Sequence, residues 1–340
     1  MPTLAQVTSE TRTILKWGGL ILGITLLIFI GFRVYSAFFA PEPPPTVAFG
    51  KISFQFPDKQ APQSLNYSID TITGSLPTFP TQLKVHRIEE KEPDLLSLAR
   101  ATDKANSAGF GGEPIKLSES VYQWKDEGAP ARTLTMNIFS NNFNLISSFI
   151  SDSTSLSFNT TGETGAILTS KSFIESLGLF PGDLDETKTK TLLFSINNFT
   201  LTPATSISSA QVIQVNFYQK NINDLPIFYS NPLVSPINFL VAEIDNNPTV
   251  VEANFTYQRV LEENATYPIK TANEAFEDLK KSNAYFSTYA KTDDNILIKN
   301  VTLGYFLGDK KQSFLVPVIV FEGNNFQGFV SAIRDEWVNK

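Results

Sequence analysis

An α+β fold behind one N-terminal transmembrane helix is the prediction from this sequence, and three observations carry it. One long apolar run lies near the N-terminus. The rest of the chain breaks into short segments that alternate apolar and polar residues between turns. Helical spacing returns in only a few separated stretches, so the outer part reads as two modules of helix packed on antiparallel sheet, not as a βαβ series.

The membrane segment comes first. Trp17 to Phe39 runs WGGLILGITLLIFIGFRVYSAFF, and Arg33 is its only charge. The uncharged stretch from Trp17 to Phe32 spans about 24 Å as a helix. Arg33 can snorkel to the headgroups, so the helix can continue to Phe39 and exceed roughly 20 residues, enough to cross the hydrocarbon core. Trp17 and Tyr35 occupy interfacial aromatic positions. Residues 17–39 are thus the contact with the lipid bilayer. Arg12 and Lys16 precede the segment, partly offset by Glu10, and no concentrated basic flank follows Arg33. A short tail beside a first hydrophobic segment usually stays inside, so residues 1–16 read as a cytoplasmic tail and the C-terminal domain as extracytoplasmic, in a single-pass cell membrane protein. A cleaved signal peptide is the alternative. Its apolar region would be unusually long, and Ser36 to Ala40 makes a poor cleavage site.

Residues 40–46 contain Pro41-Glu42-Pro43-Pro44-Pro45, a stiff polyproline II spacer. The remainder is too long for one small domain and suits two lobes, expected at 47–160 and 161–336, each able to bury its own core. The chain has no cysteine, which excludes disulfides, zinc thiolate sites and iron–sulfur clusters and favours a prokaryotic surface. Asn-x-Ser/Thr sites occur at Asn66, Asn159, Asn198, Asn254, Asn264 and Asn300; a chain rich in these residues yields several by chance, and no glycan is assigned to them. The net charge of −7, with scattered basic residues, argues against nucleic acid as a partner.

In the first module, Lys51 to Phe56 sets Ile52, Phe54 and Phe56 on one strand face, a further segment covers Ser68 to Ile72, and Gln82 to Ile88 reads as a strand with Leu83, Val85 and Arg87 sharing a face. A helix opens at Pro93-Asp94, with Leu95, Leu98, Ala99, Thr102 and Ala105 at helical spacing, and Gly109 stops it. Strands follow at Ser120 to Lys125, Arg132 to Phe139, Phe143 to Ile150 and Ser155 to Asn159.

The second module starts with a short helix from Ser170 to Leu177. Strands are expected at Lys190 to Asn197, Ala210 to Tyr218, Leu225 to Ser230 and Ile237 to Ile244. The alternation Val251, Ala253, Phe255, Tyr257, Val260 reads as one long strand. A third helix is capped by Thr271, with Glu274 closing a capping box, and buries Ala272, Ala275, Phe276 and Leu279. Strands then run over Ile296 to Tyr305, Ser313 to Phe321 and Gly328 to Asp335. Pro317 predicts an edge or a bulge for the second of these.

Motifs that carry chemistry are missing. His86 stands inside a strand pattern with no partner nucleophile, and a lone histidine without cysteine builds no zinc site. No nucleophile elbow, dinucleotide fingerprint or P-loop occurs. Ser170-Lys171 lacks the companion motifs of a penicillin-binding enzyme, Asp293-Asp294-Asn295 lacks the later ligands of a calcium loop, and Glu89 to Glu92 reads as a solvated loop. No catalytic, cofactor-binding or metal-binding residue is assigned. Tyr122, Trp124, Phe217, Tyr218, Tyr257, Tyr285, Phe286 and Tyr289 either fill the space between helix and sheet or form an exposed patch for a partner.

The C-terminal third carries a resemblance. The runs YPIKTANEAFEDLKK, VTLGYFLGD and QSFLVPVIVFEG, with Tyr267, Pro268, Ala272, Ala275, Leu279, Leu303, Gly304, Tyr305, Pro317 and Phe321 at the matching positions, resemble the YycH/YycI regulators and, more distantly, PepSY-type domains. The similarity is strongest over residues 210–335. It implies a membrane-anchored regulator, not an enzyme, that contacts a sensor kinase through its transmembrane helix and outer domain. The expectation is therefore an extracytoplasmic binding or regulatory protein working by protein–protein contact, through the helix Leu20 to Phe32 or an exposed sheet edge or aromatic face. A structural component of a cell-surface or secretion assembly, and a hydrolase with a site hidden among its Asp, Glu, Ser and Tyr residues, are the alternatives.

Overall fold

The structure, a computed structural model, describes residues 4–38, 44–57, 65–128, 130–151, 161–289 and 295–339. The chain divides into two units, Met1–Pro45 and Thr46–Lys340. In the first, helix α1 (Leu4–Phe38) runs unbroken for 35 residues. Its Trp17–Tyr35 stretch is apolar, long enough to cross a membrane, and not buried within the chain. The helix begins well before Trp17, so the boundary there is one of polarity and not of secondary structure. Most of the proline spacer lies outside the described residues.

The second unit carries, in chain order, β1 (Ile52–Ser53), β2 (Asn66–Ile69), β3 (Gln82–Ile88), α2 (Ser97–Ser107), β4 (Ile115–Lys116), β5 (Val121–Asp126), β6 (Arg132–Asn137), β7 (Phe143–Ser147), α3 (Gly162–Ser176), β8 (Lys190–Asn197), β9 (Thr200–Pro203), β10 (Val212–Phe217), β11 (Ile227–Tyr229), β12 (Ile237–Ile244), β13 (Asn247–Phe255), β14 (Val260–Pro268), α4 (Ala272–Lys280), β15 (Tyr285–Tyr289), β16 (Asn295–Leu307), β17 (Phe314–Gly323), β18 (Phe326–Ser331) and β19 (Val338–Asn339). It is an α+β architecture in which helices pack against sheets.

Nine strands form one sheet in the order β4-β5-β6-β7-β13-β12-β10-β8-β9. Eight form a second, along β11-β16-β17-β18-β15, with β2 beside β16, β3 beside β17 and β14 beside β3. Two features depart from the sequence reading. The nine-stranded sheet takes strands from both sides of residue 160, so the boundary expected between 47–160 and 161–336 does not coincide with a boundary between sheets. Pairing is also not wholly antiparallel: β2 and β11 run parallel to β16, and β1 runs parallel to β19.

Two facing rows across the middle of the first sheet separate apolar from polar residues. Trp124, Leu134, Leu145, Ala253, Phe239 and Val215 lie across from one another on six neighbouring strands. All six join a core with Ala101 and Ala105 of α2 and Ala166 and Ile174 of α3. One residue earlier or later on each strand, Gln123, Thr135, Asn144, Asn254, Asn238 and Asn216 make the matching row on the opposite face. A period of two puts consecutive residues on opposite faces. That second face has an apolar cluster only toward one end, around Phe149, Leu240, Ala242 and Ile244.

The second sheet is covered on both faces. Ile319 and Phe321 of β17 pack with Ala275, Phe276 and Leu279 of α4. Their neighbours Val318 and Val320 pack on the other side against Phe54, Phe56, Phe228, Phe306 and Phe329. Gly304 lets β11 approach, because a Cβ there would stand 2.6 Å from the Phe228 ring and 2.7 Å from the Pro226 carbonyl.

Several elements sit where the sequence places them. β3, β8 and β12 match their expected bounds, and α4 has both halves of the Thr271–Glu274 capping box and buries the expected four residues. Others moved. The Lys51–Phe56 strand contracts to β1, with Phe54 and Phe56 as ring packing and not ladder. On β3, Arg87 is exposed while Val85, His86 and Ile88 are buried. Asp94 accepts the Leu96 N–H at 2.7 Å, so α2 starts later than expected and buries Ser97, Ala101 and Ala105, leaving Leu95 fully exposed. α3 starts eight residues before the expected Ser170, its N-terminal Thr161 N–H held at 2.7 Å by Glu243 of β12. Pro317 is neither on an edge nor at a bulge. It lies between the β17 residues that pair with β3 and those that pair with β18, where a missing N–H interrupts neither ladder. The strand expected at Ser155 to Asn159 lies outside the described residues.

Candidate functional site at the junction of the sheets

The long strand expected from Val251 to Val260 is two strands. β13 ends at Phe255 in the nine-stranded sheet and β14 begins at Val260 in the other. Between them, Thr256 to Arg259 crosses from sheet to sheet, and the segments after β3 and after β10 cross nearby. Extended backbone that leaves a sheet must find other hydrogen-bond partners, and glutamine side chains supply them. Gln258 donates to the Gly308 carbonyl at 2.9 Å and accepts from the Gln312 N–H at 3.1 Å. Its own carbonyl accepts from Gln219 Nε2 at 3.2 Å, and the same nitrogen donates to Asp183 Oδ2 at 2.9 Å. Tyr257 donates its hydroxyl to Asp183 Oδ1 at 2.9 Å, and Gln219 donates its N–H to the Tyr229 hydroxyl at 3.2 Å. Gln219 and Gln258 are buried. A connected network of this kind fixes the crossing segments in one arrangement.

Around the network lies an open, branched cleft. Its central part, of ≈ 580 Å³, is lined by Ser120, Asn137, Phe139, Asn142, Tyr257 and Arg259 among others. One arm of ≈ 420 Å³ reaches Ser97, Arg100 and Lys104 on α2, and another of ≈ 460 Å³ reaches Gly178 to Asp183 beyond α3. Lys91 lines all three. These volumes lie in the range of ligand-binding pockets.

The charges around the cleft are partly engaged with one another. Arg259 reaches Glu89 at 3.4 Å, and Lys311 reaches Glu90 at 3.1 Å. Glu90 also accepts from the Ser313 hydroxyl at 2.6 Å, and these bonds hold its carboxyl below the usual range. Lys104 donates to the Leu177 carbonyl at 3.0 Å, tying α2 to the C-terminal end of α3. Burial pushes its ammonium below the ordinary lysine value, and the charges of Lys91 and Arg100 add to that. Burial pushes the Tyr257 hydroxyl up, as does the negative charge of Asp183. A phenol so held stays protonated and serves as a donor. The cleft therefore offers hydrogen-bond donors, amides, the rings of Phe139 and Tyr257, and charges of both signs.

The residues singled out in the sequence fall mainly into the core. His86 is buried; its Nε2 lies 3.2 Å from Asn223 Nδ2 and its Nδ1 3.4 Å from the Leu261 carbonyl. Burial lowers its pKa, against the Leu261 hydrogen bond that raises it, with Lys84 adding to the lowering. The folded state thus favours neutral His86. Its contribution is present above the unfolded value of about 6.5 and is lost as pH falls through the lower folded value; urea midpoints measured downward from neutral pH check this. Trp124, Phe217, Tyr285 and Phe286 are buried, and Tyr122 packs against the same core as Trp124. Among the described side chains of the aromatic set, only Tyr257 opens on the cleft. The side chain of Tyr289 and residues Asp293 and Asp294 lie outside the described residues. Ser170 is buried in α3 and donates to the Ala166 carbonyl. Among the described residues no group of three or more His, Cys, Asp and Glu side chains is placed to hold a metal ion.

Sequence reasoning missed Asp183, Gln219, Gln258 and Gln312. One signal was present: apolar residues at odd positions through Tyr257 give way to Val260 at an even one. That slip of phase marks the crossing.

No protein-family model matches the chain, and no curated protein matches it in sequence. Among solved structures it is similar to an uncharacterized protein from Eubacterium rectale, with 12% identity, 79% of this chain and 88% of that one covered, and a TM-score of 0.33.

Proposed function

We propose that this chain is a membrane-tethered extracytoplasmic binding protein, without catalysis of its own, that regulates a partner by protein–protein contact. The resemblance to YycH/YycI regulators makes a sensor kinase the first partner to test. The observation that carries the reading is the cleft where the backbone crosses between sheets. A polypeptide segment laid there can bond to Tyr257, Asn142 and Lys91 and bias how the crossing segments are held. In the membrane segment, Gly19 and Gly23 are spaced four residues apart in an apolar helix, which favours close approach of a second helix.

The test is photocrosslinking in native membranes from residue 91 and, separately, from Leu27 in α1, followed by mass spectrometry. One partner captured from both positions, and lost on Arg259→Glu from the first, supports the reading. Capture of the chain's own copies or of a large envelope assembly instead would favour a structural component.

A further inference from the structure

The open face of the nine-stranded sheet has chemistry of its own. Gln123, Thr135, Asn144, Asn254 and Asn238 stand directly across from one another on five adjacent strands, and none is charged. Asn144 is exposed and the others are half-buried. We infer that this row binds an uncharged, extended glycan laid across the strands.

Composition is the first reason. Asparagine is depleted in strands, yet the row holds three in succession. A face that needs only wetting is served by threonine and by mixed charges. Orientation is the second. Asn144 donates to the Ala253 carbonyl at 3.2 Å, Asn254 to the Pro236 carbonyl at 2.8 Å and Asn238 to the Ser235 carbonyl at 2.7 Å. With each –NH₂ tied to backbone, the oxygen on the other arm of each planar amide is a pre-set acceptor. The bonds from Asn254 and Asn238 also pin the chain before β12, and Asn144 ties β7 to β13, while Gln123 donates to Thr135 Oγ1 at 3.4 Å within the row; the three asparagine oxygens are what these bonds leave facing outward.

The occupant follows from these groups. The row itself is uncharged, and the charges beside it on the same face, Lys125 and Glu252, are one of each sign, so it presents no field that favours an ion, a nucleic acid or a charged peptide. A peptide joining a sheet does so at an edge, and these strands are interior. What fits is a neutral chain whose hydroxyls repeat at about the strand spacing of ~4.8 Å, close to the length of one hexose in an extended glycan. Ile146, two residues from Asn144 and on the same face, is 52% exposed and supplies an apolar contact for the C–H face of a sugar ring.

The experiment is isothermal titration of the full-length protein in nanodiscs with cello- and chito-oligosaccharides, in low and high salt. Binding of a neutral oligosaccharide with a salt-independent Kd is expected, weakened about tenfold or more in the double variant Thr135→Val, Asn144→Val. Valine is a good strand former, and an unchanged melting temperature verifies the fold. Hydrogen exchange on the wild type gives a second readout, with added protection expected in β7 and β13. The inference is overturned if the folded wild type binds no neutral oligosaccharide, if only charged glycans or peptides bind, or if the double variant binds as well as wild type.

Discussion

The two sheets of the Thr46–Lys340 unit bury themselves in different ways. In the nine-stranded sheet one face carries the apolar row from Trp124 to Val215 beneath α2 and α3, and the other carries amides and hydroxyls. In the eight-stranded sheet both faces are closed, one by α4 and the other by the rings of Phe54, Phe56 and Phe228. The sequence of each strand follows from this. β7 alternates buried and exposed through Phe143 to Ile146, whereas β17 is buried without interruption from Leu315 to Phe321. A strand enclosed on both sides has no polar position to give, and that difference sets what each sheet tolerates.

The largest expected effect breaks the comparison directly. Val318→Asn and Ile319→Asn, on opposite faces of β17, should each cost about 3–5 kcal/mol, because each removes packing and buries an amide without a partner. On β7, Leu145→Asn should cost a similar amount, while Asn144→Val should fall within about 1 kcal/mol of wild type. Urea unfolding of the four variants checks this. Equal tolerance at Val318 and Asn144 would mean that the ring-covered face of the second sheet is not a true core.

The coupling between the sheets is the next test. Gln258→Leu removes the side chain that joins the Thr256–Arg259 crossing to Gly308 and Gln312. It leaves a buried carbonyl and N–H without those partners, at about 2–3 kcal/mol. Hydrogen exchange should then show the β16–β17 hairpin opening more readily, with β5 to β7 unchanged. If both regions loosen together, the sheets are one cooperative unit whose coupling does not depend on this network.

How much was legible in the sequence follows the same division. Short, mainly apolar runs between turn signals were enough to place strands such as β8 and β12, and α4 announced itself by its own capping box. Strand pairing could not be read, because partners such as Ile52 and Val338 are joined only by the folded chain. Nor could the start of α3, whose cap comes from Glu243 of a distant strand. The junction was hidden more deeply. Glutamines bind backbone there instead of building a motif, so Gln219, Gln258 and Gln312 had no local signature. The amide row was present residue by residue, yet only the register across the strands brings it together.

That distant cap gives the third expectation. Glu243 is buried and accepts both the N–H and the hydroxyl of Thr161 at the start of α3. Glu243→Ala should cost about 1–2 kcal/mol, as expected for loss of a helix N-cap, with fraying confined to the first turn of α3. Far-ultraviolet circular dichroism and hydrogen exchange at residues 163–166 measure it. Thr271→Ala should cost about as much at α4. Agreement between the two would show that a cap supplied from another strand is equivalent to one supplied locally.

The smallest effect has the opposite sign and concerns an edge of the nine-stranded sheet. The β8–β9 hairpin closes between Asn197 and Thr200, with Asn198 at φ 49 and Phe199 at φ 59. A two-residue turn with both φ values positive favours Asn-Gly, and phenylalanine in the left-handed region costs roughly 1–2 kcal/mol. The ring offers little burial in return, since Phe199 is 73% exposed. Phe199→Gly relieves the strain but adds backbone entropy to the unfolded chain, a loss of about 0.5–1 kcal/mol. The net expectation is a gain of about 0.5 kcal/mol, read as a small rise in urea midpoint with an unchanged slope. A fall instead would mean that the ring at this tip is buried in solution, for example against a second copy. In that case the midpoint should depend on protein concentration.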